Sequence, residues 1–324
     1  MPSEKPLVTV VCPVFNEEKT VPLFYARLAP AIAIIEDRVR FEILFVDNRS
    51  TDGTVDAIKE LQTKDPRVNV IVLSRNYGYQ ASITAGMRLA RGDASVNIDV
   101  DCEDPPEMIP KFIERWIDGA DVAYGIRDKR EEFFLMHLGR KLFYRIMRKI
   151  ADHEIVLDMA EFFLVDSRVR EHVLSTRSTF PFVRGQVGYV GFRREGIPYK
   201  REKRIGGVTH YNLAGAARFG IGGALSSSTM PMRVLAYVGV VGFLFDMLLA
   251  IAVLIFGGAW GLTPFWRVCL ALVAVNTGWT ILAFGALALY IARIYKDSLG
   301  MPLYVVDDKR SIRRPLEGET GSTS

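Results

Sequence analysis

Paired cysteines and a nucleic-acid-binding stretch are absent from this sequence, and its first apolar stretch is not expected to act as a secretory leader. Its three cysteines, Cys12, Cys102 and Cys269, lie far apart and form no CxxC pair. The sequence therefore predicts neither a disulfide framework nor a zinc site and favours a reducing compartment. The first apolar stretch is broken at Pro13 and followed by Asn-Glu-Glu, unlike the apolar region of a signal peptide, so the first domain is expected in the cytosol. No block of basic residues with interleaved aromatic residues occurs, so no nucleic-acid partner is expected.

The composition is that of a globular protein whose apolar residues are concentrated in its last third. Of 324 residues, 49% are hydrophobic and 24% are charged, and the formal net charge is +4. This length allows one large domain or two modest ones. The mild basic balance fits an anionic partner, such as a phosphate group or a membrane surface.

The first hundred residues alternate between short apolar runs and helical segments. The runs are rich in Val and Ile, as expected of strands covered on both faces; they are residues 7–14, 41–48, 68–75 and 94–101. Helices are expected at about 20–35, 54–64 and 81–90. This alternation predicts βαβ units and a parallel sheet. Ligands bind such sheets at the carboxyl ends of the strands, where the polar loops PVFNEE, DNRSTDGT and DVDCEDPPE fall.

Two long apolar segments follow in the last third of the chain. Residues 234–256 contain one side chain that is charged at neutral pH, Asp246, and residues 268–292 contain none. At about 1.5 Å per residue, either segment can cross a hydrocarbon core about 30 Å thick. The alternative is a pair of buried helices in a soluble domain, although such helices rarely run this long without a polar face.

The basic residues around these segments indicate their orientation. The connector between them carries one basic residue, Arg267, whereas the outer ends carry Arg233, Arg293 and Lys296. By the positive-inside rule, both outer ends lie in the cytosol and the two segments form a transmembrane hairpin.

Three further features surround this hairpin. Asp246 is a carboxyl group at membrane depth, which indicates a function unless protonation or a polar neighbour in an oligomer accounts for it. Residues 208–232 are small and moderately apolar and are expected to lie in the headgroup plane. The run MPLYVV (301–306) is short and β-prone, so its backbone needs a sheet edge. That edge belongs either to a neighbouring subunit or to the first domain of the same chain.

Four carboxylates lie within six positions at the end of the last predicted strand, in the stretch NIDVDCEDPPE (97–107); they are Asp99, Asp101, Glu103 and Asp104. Asp99 and Asp101 alternate by two, so at a strand end they share one face. Like charges this close need a cation between them, and hard oxygen ligands without a nearby His or Cys select Mg²⁺ or Mn²⁺, which keeps open positions for substrate phosphate oxygens. The alternative is a solvated acidic loop, against which the position at the end of a buried strand argues.

Six stretches together resemble one enzyme family. In order they are CPVFNEE, VDNRSTDGT, NYGYQASITAGMRLARGD, DVDCEDPPE, YGIRDKR and FVRGQVGYVGF. They resemble the family 2 glycosyltransferases with a GT-A fold, in particular the polyprenyl-phosphate glycosyltransferases of the GtrB type and dolichyl-phosphate mannose synthase. The hairpin and the PLYVV run after it resemble the bacterial membrane-anchored branch of that group.

The resemblance implies an α/β fold, with a GT-A (Rossmann-like), mostly parallel sheet domain before the membrane segments. The expected divisions are a cytosolic GT-A domain (1–207), juxtamembrane interfacial helices (208–232), a segment with two transmembrane helices (233–293) and a cytosolic tail (294–324). It implies a multi-pass protein of the cell membrane with the catalytic domain and both termini cytoplasmic. A homo-oligomer, most simply a tetramer, is also implied.

The resemblance assigns roles to the donor half of the site. Asp99 is expected to contact the donor near its sugar or ribose, while Asp101 and Glu103 hold the Mg²⁺ or Mn²⁺ that bridges the diphosphate. The nucleoside of the nucleotide sugar is expected to contact Pro13, Phe15, Glu17 and Asp47. Carboxylates at such positions can accept hydrogen bonds from a base and a ribose.

The acceptor half is expected to involve one acid and several arginines. The stretch LDMAEFFLVDSRV (157–169) resembles the segment that the family places near the acceptor, which makes Asp158 the candidate base or acceptor-orienting group; the division of roles between Asp158 and Glu161 is open. The acceptor phosphate is assigned to Arg127, Arg130 and Arg204, since guanidinium groups grip phosphate bidentately. For these residues and for Arg184, Lys200 and Arg201, the alternative is attraction to anionic membrane lipid.

The implied reaction is an inverting transfer of a hexose, glucose from UDP-glucose, to polyprenyl (undecaprenyl) phosphate at the cytosolic membrane face. One alternative is a polyprenyl- or dolichyl-phosphate mannosyltransferase that uses GDP-mannose. Another is a catalytically inactive membrane scaffold that binds nucleotide or lipid. A processive polysaccharide synthase is disfavoured because the chain lacks a Gln-x-x-Arg-Trp motif.

Overall fold

The computed structural model describes residues 5–127, 159–175, 181–205, 230–256 and 262–315. Asp158 and Arg130, to which the sequence assigns site roles, lie outside the described residues. Most of the expected interfacial segment, 208–232, lies outside them as well.

The described chain contains one seven-stranded sheet, with the strand order β3-β2-β1-β4-β6-β5-β7. Strand β6 runs antiparallel to both of its neighbours, and every other pair is parallel. This confirms the mostly parallel α/β sheet domain expected of a GT-A-like fold. The strands are β1 (Leu7–Val14), β2 (Arg40–Asp47), β3 (Val68–Val72), β4 (Ala94–Asn97), β5 (Val122–Arg127), β6 (Met159–Asp166) and β7 (Arg194–Tyr199).

The helices flank the sheet and then form a separate pair. They are α1 (Thr20–Ala33), α2 (Thr54–Lys64), α3 (Tyr79–Leu89), α4 (Ile109–Ile117), α5 (Ser167–Ser175), α6 (Val183–Val190), α7 (Met230–Phe256) and α8 (Leu262–Ser298). Helix α2 has the predicted bounds, and α1 and α3 agree with theirs within two residues. Strands β3 and β4 end three and four residues earlier than predicted, because the chain leaves the sheet there to form polar loops.

The two faces of the sheet are covered by different helices. On β1, Val10 and Cys12 belong to a core that includes Phe24 of α1 and Phe112 of α4, whereas Val11 packs in a second core with residues of α3. Alternate residues of a strand point to opposite faces, so the continuous apolar run of β1 reflects burial on both sides.

Helix α3 approaches the sheet closely at Gly86. A Cβ atom at this position would lie 2.2 Å from Cγ1 of Val11 and 3.0 Å from Cγ2 of Val46. Both contacts are shorter than a packed core allows. Gly86 therefore sets the distance between α3 and strands β1 and β2, whose carboxyl ends form the site described below.

Helices α7 and α8 lie side by side after the sheet domain. The side-chain amide of Asn276 on α8 donates a 3.0 Å hydrogen bond to Asp246 on α7, so this carboxylate has a polar neighbour within its own chain. Among the described residues, the segment Val275–Ser298 is long and apolar enough to cross a membrane, and the apolar stretch Val234–Leu248 of α7 is shorter.

The tail segment, residues 301–315, returns to the sheet domain of its own chain. Val306 bridges Leu73 and Ile312 bridges Val70, both in antiparallel sense. Tyr304 and Val306 pack on the second core, beside Leu73. Of the two alternatives for the MPLYVV run, the structure shows attachment to the sheet edge of its own chain. The edge of β3 supplies hydrogen-bond partners for backbone groups of the tail segment that would otherwise need another chain.

Candidate active site

A cavity of about 610 Å³ opens at the carboxyl ends of β1, β2 and β4. Because β6 is antiparallel to β4, its first residues reach the same edge, and Asn97 of β4 donates a 2.7 Å hydrogen bond to the carbonyl of Glu161 on β6. Of the residues that sequence analysis assigns to the site, those that line the cavity are Pro13, Phe15, Glu17, Asp99, Asp101, Glu103, Arg127 and Arg204.

The loops after β1 and β2 are joined by side-chain hydrogen bonds. The side-chain oxygen of Asn16, whose φ is 55°, accepts a 2.9 Å hydrogen bond from Thr51 N–H. The backbone N–H of Asn16 donates a 2.9 Å hydrogen bond to Ser50 Oγ. Glu17 N–H donates to Thr54 Oγ1 at 2.8 Å. The Glu17 side chain lines the cavity, and its Oε2 is buried without a hydrogen-bond partner among the described residues. An unpaired buried carboxylate oxygen is costly and is suited to a hydroxyl or N–H donor of a ligand.

The structure places Asp47 beneath the loop, outside the residues that line the cavity. It is fully buried, and its carboxylate accepts Ser50 N–H at 3.1 and 3.2 Å. Burial raises the pKa of Asp47, against the lowering effect of the Ser50 hydrogen bonds. Asn48 lines the cavity instead, bonded to Asn76 Oδ1 at 3.0 Å and to Tyr77 N–H at 2.9 Å. Asp47 thus shapes the loop, and Asn48 faces the ligand space.

The acidic loop after β4 turns through Cys102, whose φ is 56°. Asp99 accepts a 2.7 Å hydrogen bond from the hydroxyl of Tyr79, the first residue of α3. Burial, followed by the charge of Asp101, raises the pKa of Asp99 to about 7. Glu103 N–H donates to Asp101 Oδ1 at 2.9 Å, which fixes the turn between the two carboxylates.

A segment that follows β7 covers the acidic loop. Arg204 donates to Asp101 at 3.0 and 3.2 Å, and Arg201 donates to Glu103. Backbone bonds hold the segment there, from Glu202 N–H to Glu103 O at 2.9 Å and from Ile205 N–H to Asp101 O at 3.1 Å. The charges of the two loop carboxylates are therefore balanced by arginine.

Arg127, at the end of β5, lines the cavity and pairs with Asp104. Its Nη2 donates to Asp104 Oδ2 at 2.8 Å, and the hydroxyl of Tyr199 donates to the same buried carboxylate. Sequence analysis gives no role to Tyr199, and names Asp104 only as part of the acidic cluster. Asp104 orients Arg127, which faces the ligand space beside Arg184 and Arg201.

Glu161 lies opposite the acidic loop in the cavity wall. Its Oε1 accepts Gln80 Nε2 at 3.3 Å, and its Oε2 is buried without a hydrogen-bond partner in the described part of the chain. Arg184 Nε lies 4.0 Å from Oε1. Burial raises the pKa of Glu161, and the charge of Arg184 opposes this. Of the two acids considered for the acceptor role, Glu161 lines the cavity, and Asp158 lies outside the described residues.

The donor set fits a divalent cation that is shared with a substrate. No cluster of three or more Asp, Glu, His or Cys side chains that could hold a metal occurs in the described residues. Asp101 and Glu103 supply two carboxylates, and Mg²⁺ is commonly held by one or two carboxylates together with substrate phosphates. Asp101 and Glu103 are therefore too few to hold the cation alone, but they suffice when a substrate diphosphate supplies further oxygen ligands.

Comparison with known proteins agrees with this site. The pattern of glycosyl transferase family 2 matches residues 9–173. The chain is 34% identical to the uncharacterized glycosyltransferase YkcC of Bacillus subtilis, over 94% of each chain. It is 31% identical to the bactoprenol glucosyl transferase of Shigella phage SfV, over 94% of this chain and 99% of that one. It is also 31% identical to the prophage bactoprenol glucosyl transferase homolog of Escherichia coli K12, over 92% and 98%. The matched length contains the acidic loop and Arg127, and the other cavity arginines follow it. The chain belongs to glycosyltransferase family 2.

Proposed function

We propose that this enzyme transfers glucose from UDP-glucose to polyprenyl (undecaprenyl) phosphate, with inversion, at the cytosolic membrane face. The observation that carries the proposal is the cavity wall, where Asp101 and Glu103 face Arg127, Arg184, Arg201 and Arg204. Such a wall suits two phosphate-bearing substrates, one held through a cation and one through guanidinium groups. The relatives named bactoprenol glucosyl transferases support glucose as the sugar and a polyprenol derivative as the acceptor.

The donor is assigned to the half of the cavity formed by the loops after β1, β2 and β4. Glu17 and Asn48 offer acceptors and a donor to the base and ribose, and Pro13 and Phe15 offer apolar contact. Asp101 and Glu103 would hold Mg²⁺ or Mn²⁺ with the diphosphate. When bound, that cation stabilises the negative charge that develops on the leaving UDP.

The acceptor is assigned to the arginines and Glu161. A phosphate monoester has a second pKa of about 6, so its oxygen is already a nucleophile at neutral pH and needs orientation more than deprotonation. Arg127, Arg130 and Arg204 are assigned to grip the phosphate, and Glu161 or Asp158 to orient it for attack on C1 of the glucose. The C1–O bond to UDP breaks as the new C1–O bond forms on the opposite face.

We propose that α7 and α8 both span the cell membrane, which places the sheet domain and both termini in the cytoplasm. The apolar side chains of these helices are outward-facing, with Val240, Phe243 and Phe284 58%, 67% and 69% exposed, as membrane lipid requires. The proposed assembly is a homo-oligomer, a tetramer by family resemblance. An oligomer would cover the remaining polar surface around Asp246.

The proposal is tested with the full chain in mild detergent. Undecaprenyl phosphate is incubated with radiolabelled UDP-glucose, UDP-galactose, UDP-N-acetylglucosamine or GDP-mannose, with Mg²⁺, Mn²⁺ or EDTA, and the label in the lipid phase is measured. We expect glucose transfer from UDP-glucose alone, abolished by EDTA, with a β-linked product by NMR. Transfer from GDP-mannose would overturn the donor assignment, and no transfer from any donor would favour an inactive scaffold.

A further inference from the structure

Arg49, in the loop after β2, lies outside the residues that line the cavity. Asn48 lines the cavity, whereas the next residue, Arg49, does not and has a φ of 66°. A left-handed backbone is unfavourable for a long side chain such as arginine. This conformation therefore needs support from outside the loop.

The tail segment provides that support. Arg49 Nη1 donates to Asp307 Oδ2 at 3.0 Å. Asp307 is itself fixed to the sheet, because its N–H donates to Val72 O at 2.8 Å and its carbonyl accepts the hydroxyl of Ser311 at 2.8 Å. The Ser311 hydroxyl oxygen in turn accepts Val72 N–H at 2.9 Å. The carboxylate that holds Arg49 is thus anchored at the end of β3.

We infer that the tail segment positions the donor-binding loop, with Asp307 as the positioning residue for nucleotide binding. The inference rests on the proposed function for the identity of the ligand. The chain that leaves the last long helix then contributes to donor affinity without touching the donor. Its effect acts on the donor half of the cavity and leaves the acceptor half, built by β5, β6 and the segment after β7, unchanged.

The test compares the wild-type full-length protein with the variants Asp307→Ala and Asp307→Glu. Asp308→Ala is the matched control, because Asp308 is exposed and carries the same charge beside Asp307. Binding of UDP with Mn²⁺ is measured by calorimetry, and the steady-state KM of each substrate is measured separately. We expect the UDP Kd to rise about three- to fivefold in Asp307→Ala, as for a partly exposed ion pair, with no change in Asp308→Ala. Asp307→Glu should recover most of the loss, and the KM for polyprenyl phosphate should not move.

Amide hydrogen exchange separates this inference from the proposed function. Asp307→Ala should speed exchange in peptides that cover residues 47–52 and leave those that cover 94–105 unchanged, whichever nucleotide binds. Wild-type exchange at 47–52, or equal losses of affinity in Asp307→Ala and Asp308→Ala, would overturn the positioning role. If the loop exchanges faster but the wild-type protein binds neither UDP nor GDP, the donor assignment fails, and the donor part of this inference fails with it. A double variant with Arg49→Ala and Asp307→Ala should lose no more affinity than either single variant.

Discussion

Arg204 donates two hydrogen bonds to the carboxylate of Asp101, at 3.0 and 3.2 Å, across 103 positions of sequence. The proposed function gives the same carboxylate to a divalent cation. Both bonds end on Oδ2, and a cation bound to the same carboxylate competes with Arg204 for its negative charge. We expect metal binding to weaken the Arg204 contact, which would leave the guanidinium group available for the acceptor phosphate.

Asp101→Asn should abolish the contribution of metal to nucleotide binding. A neutral amide loses the charge that draws a hard cation, so the UDP Kd measured with Mn²⁺ should weaken at least tenfold and match the value measured with EDTA. Calorimetry checks this. Asp118→Asn, at an exposed position after α4, is the control and should bind as the wild type does. Full Mn²⁺-dependent affinity in Asp101→Asn would remove Asp101 from the metal site.

Arg204→Ala should have opposite effects on the two ligands. Without a competing guanidinium group, Mn²⁺ alone should bind about two- to threefold more tightly, since a part-exposed ion pair is worth no more than about 1 kcal/mol. The KM for polyprenyl phosphate should rise severalfold in the same variant. Weaker Mn²⁺ binding would mean that Arg204 holds the loop in place and does not compete with the cation.

Arg127→Ala should weaken binding of the acceptor and lower the free energy of unfolding. The KM for polyprenyl phosphate should rise at least tenfold while the KM for UDP-glucose stays within twofold. Asp104 is 3% exposed in its side chain and keeps Tyr199 as a donor, so the lost ion pair should cost about 2 kcal/mol in the free energy of unfolding. Arg38→Ala, at an exposed position outside the cavity lining, should change neither quantity. An equal rise in both KM values would contradict the acceptor assignment.

Gly86→Ala should destabilise the sheet domain by about 2 kcal/mol, as expected for overpacking of a filled core. The added Cβ would lie 2.2 Å from Val11, so α3 has to move away from the sheet. Thermal unfolding followed by circular dichroism measures the effect. Gly239→Ala makes the same substitution in α7, where nothing lies within 4 Å of the new atom, and should leave the transition in place. An unchanged transition in Gly86→Ala would show that α3 packs more loosely than described.

The strands and first helices of the sheet domain could be predicted because their signals are local. The apolar run of β1 and the bounds of α2 follow from residues adjacent in sequence. Asp99 and Asp101 could likewise be placed together from their spacing alone. The partners of these acids could not, because Tyr79 lies 20 positions from Asp99 and Arg204 lies 103 from Asp101. Such contacts exist only after the sheet has formed.

Two assignments needed information that a single sequence does not contain. Asp47 and Asn48 are adjacent polar residues at a strand end, and only the course of the loop decides that the first is buried and the second faces the cavity. The MPLYVV run has the same strand propensity for its own sheet as for a neighbour's. Its attachment to β3 depends on the distance between that edge and the end of α8.

With α8 in a membrane, as proposed above, that attachment limits how far the candidate cavity can move from the bilayer. Residues 299–303 alone separate α8 from Tyr304, the first tail residue packed on the sheet domain. Five residues extend to at most about 18 Å, so this tether is short. With α8 in a bilayer, the enzyme cannot diffuse away from the surface on which a lipid-borne acceptor moves. The rate at which the enzyme meets its acceptor then depends on an effective concentration, which is set by the tether length and by the density of acceptor in the leaflet. UDP-glucose, by contrast, arrives from bulk solution. We therefore expect turnover to follow the surface fraction of polyprenyl phosphate in vesicles and to be insensitive to its total bulk concentration.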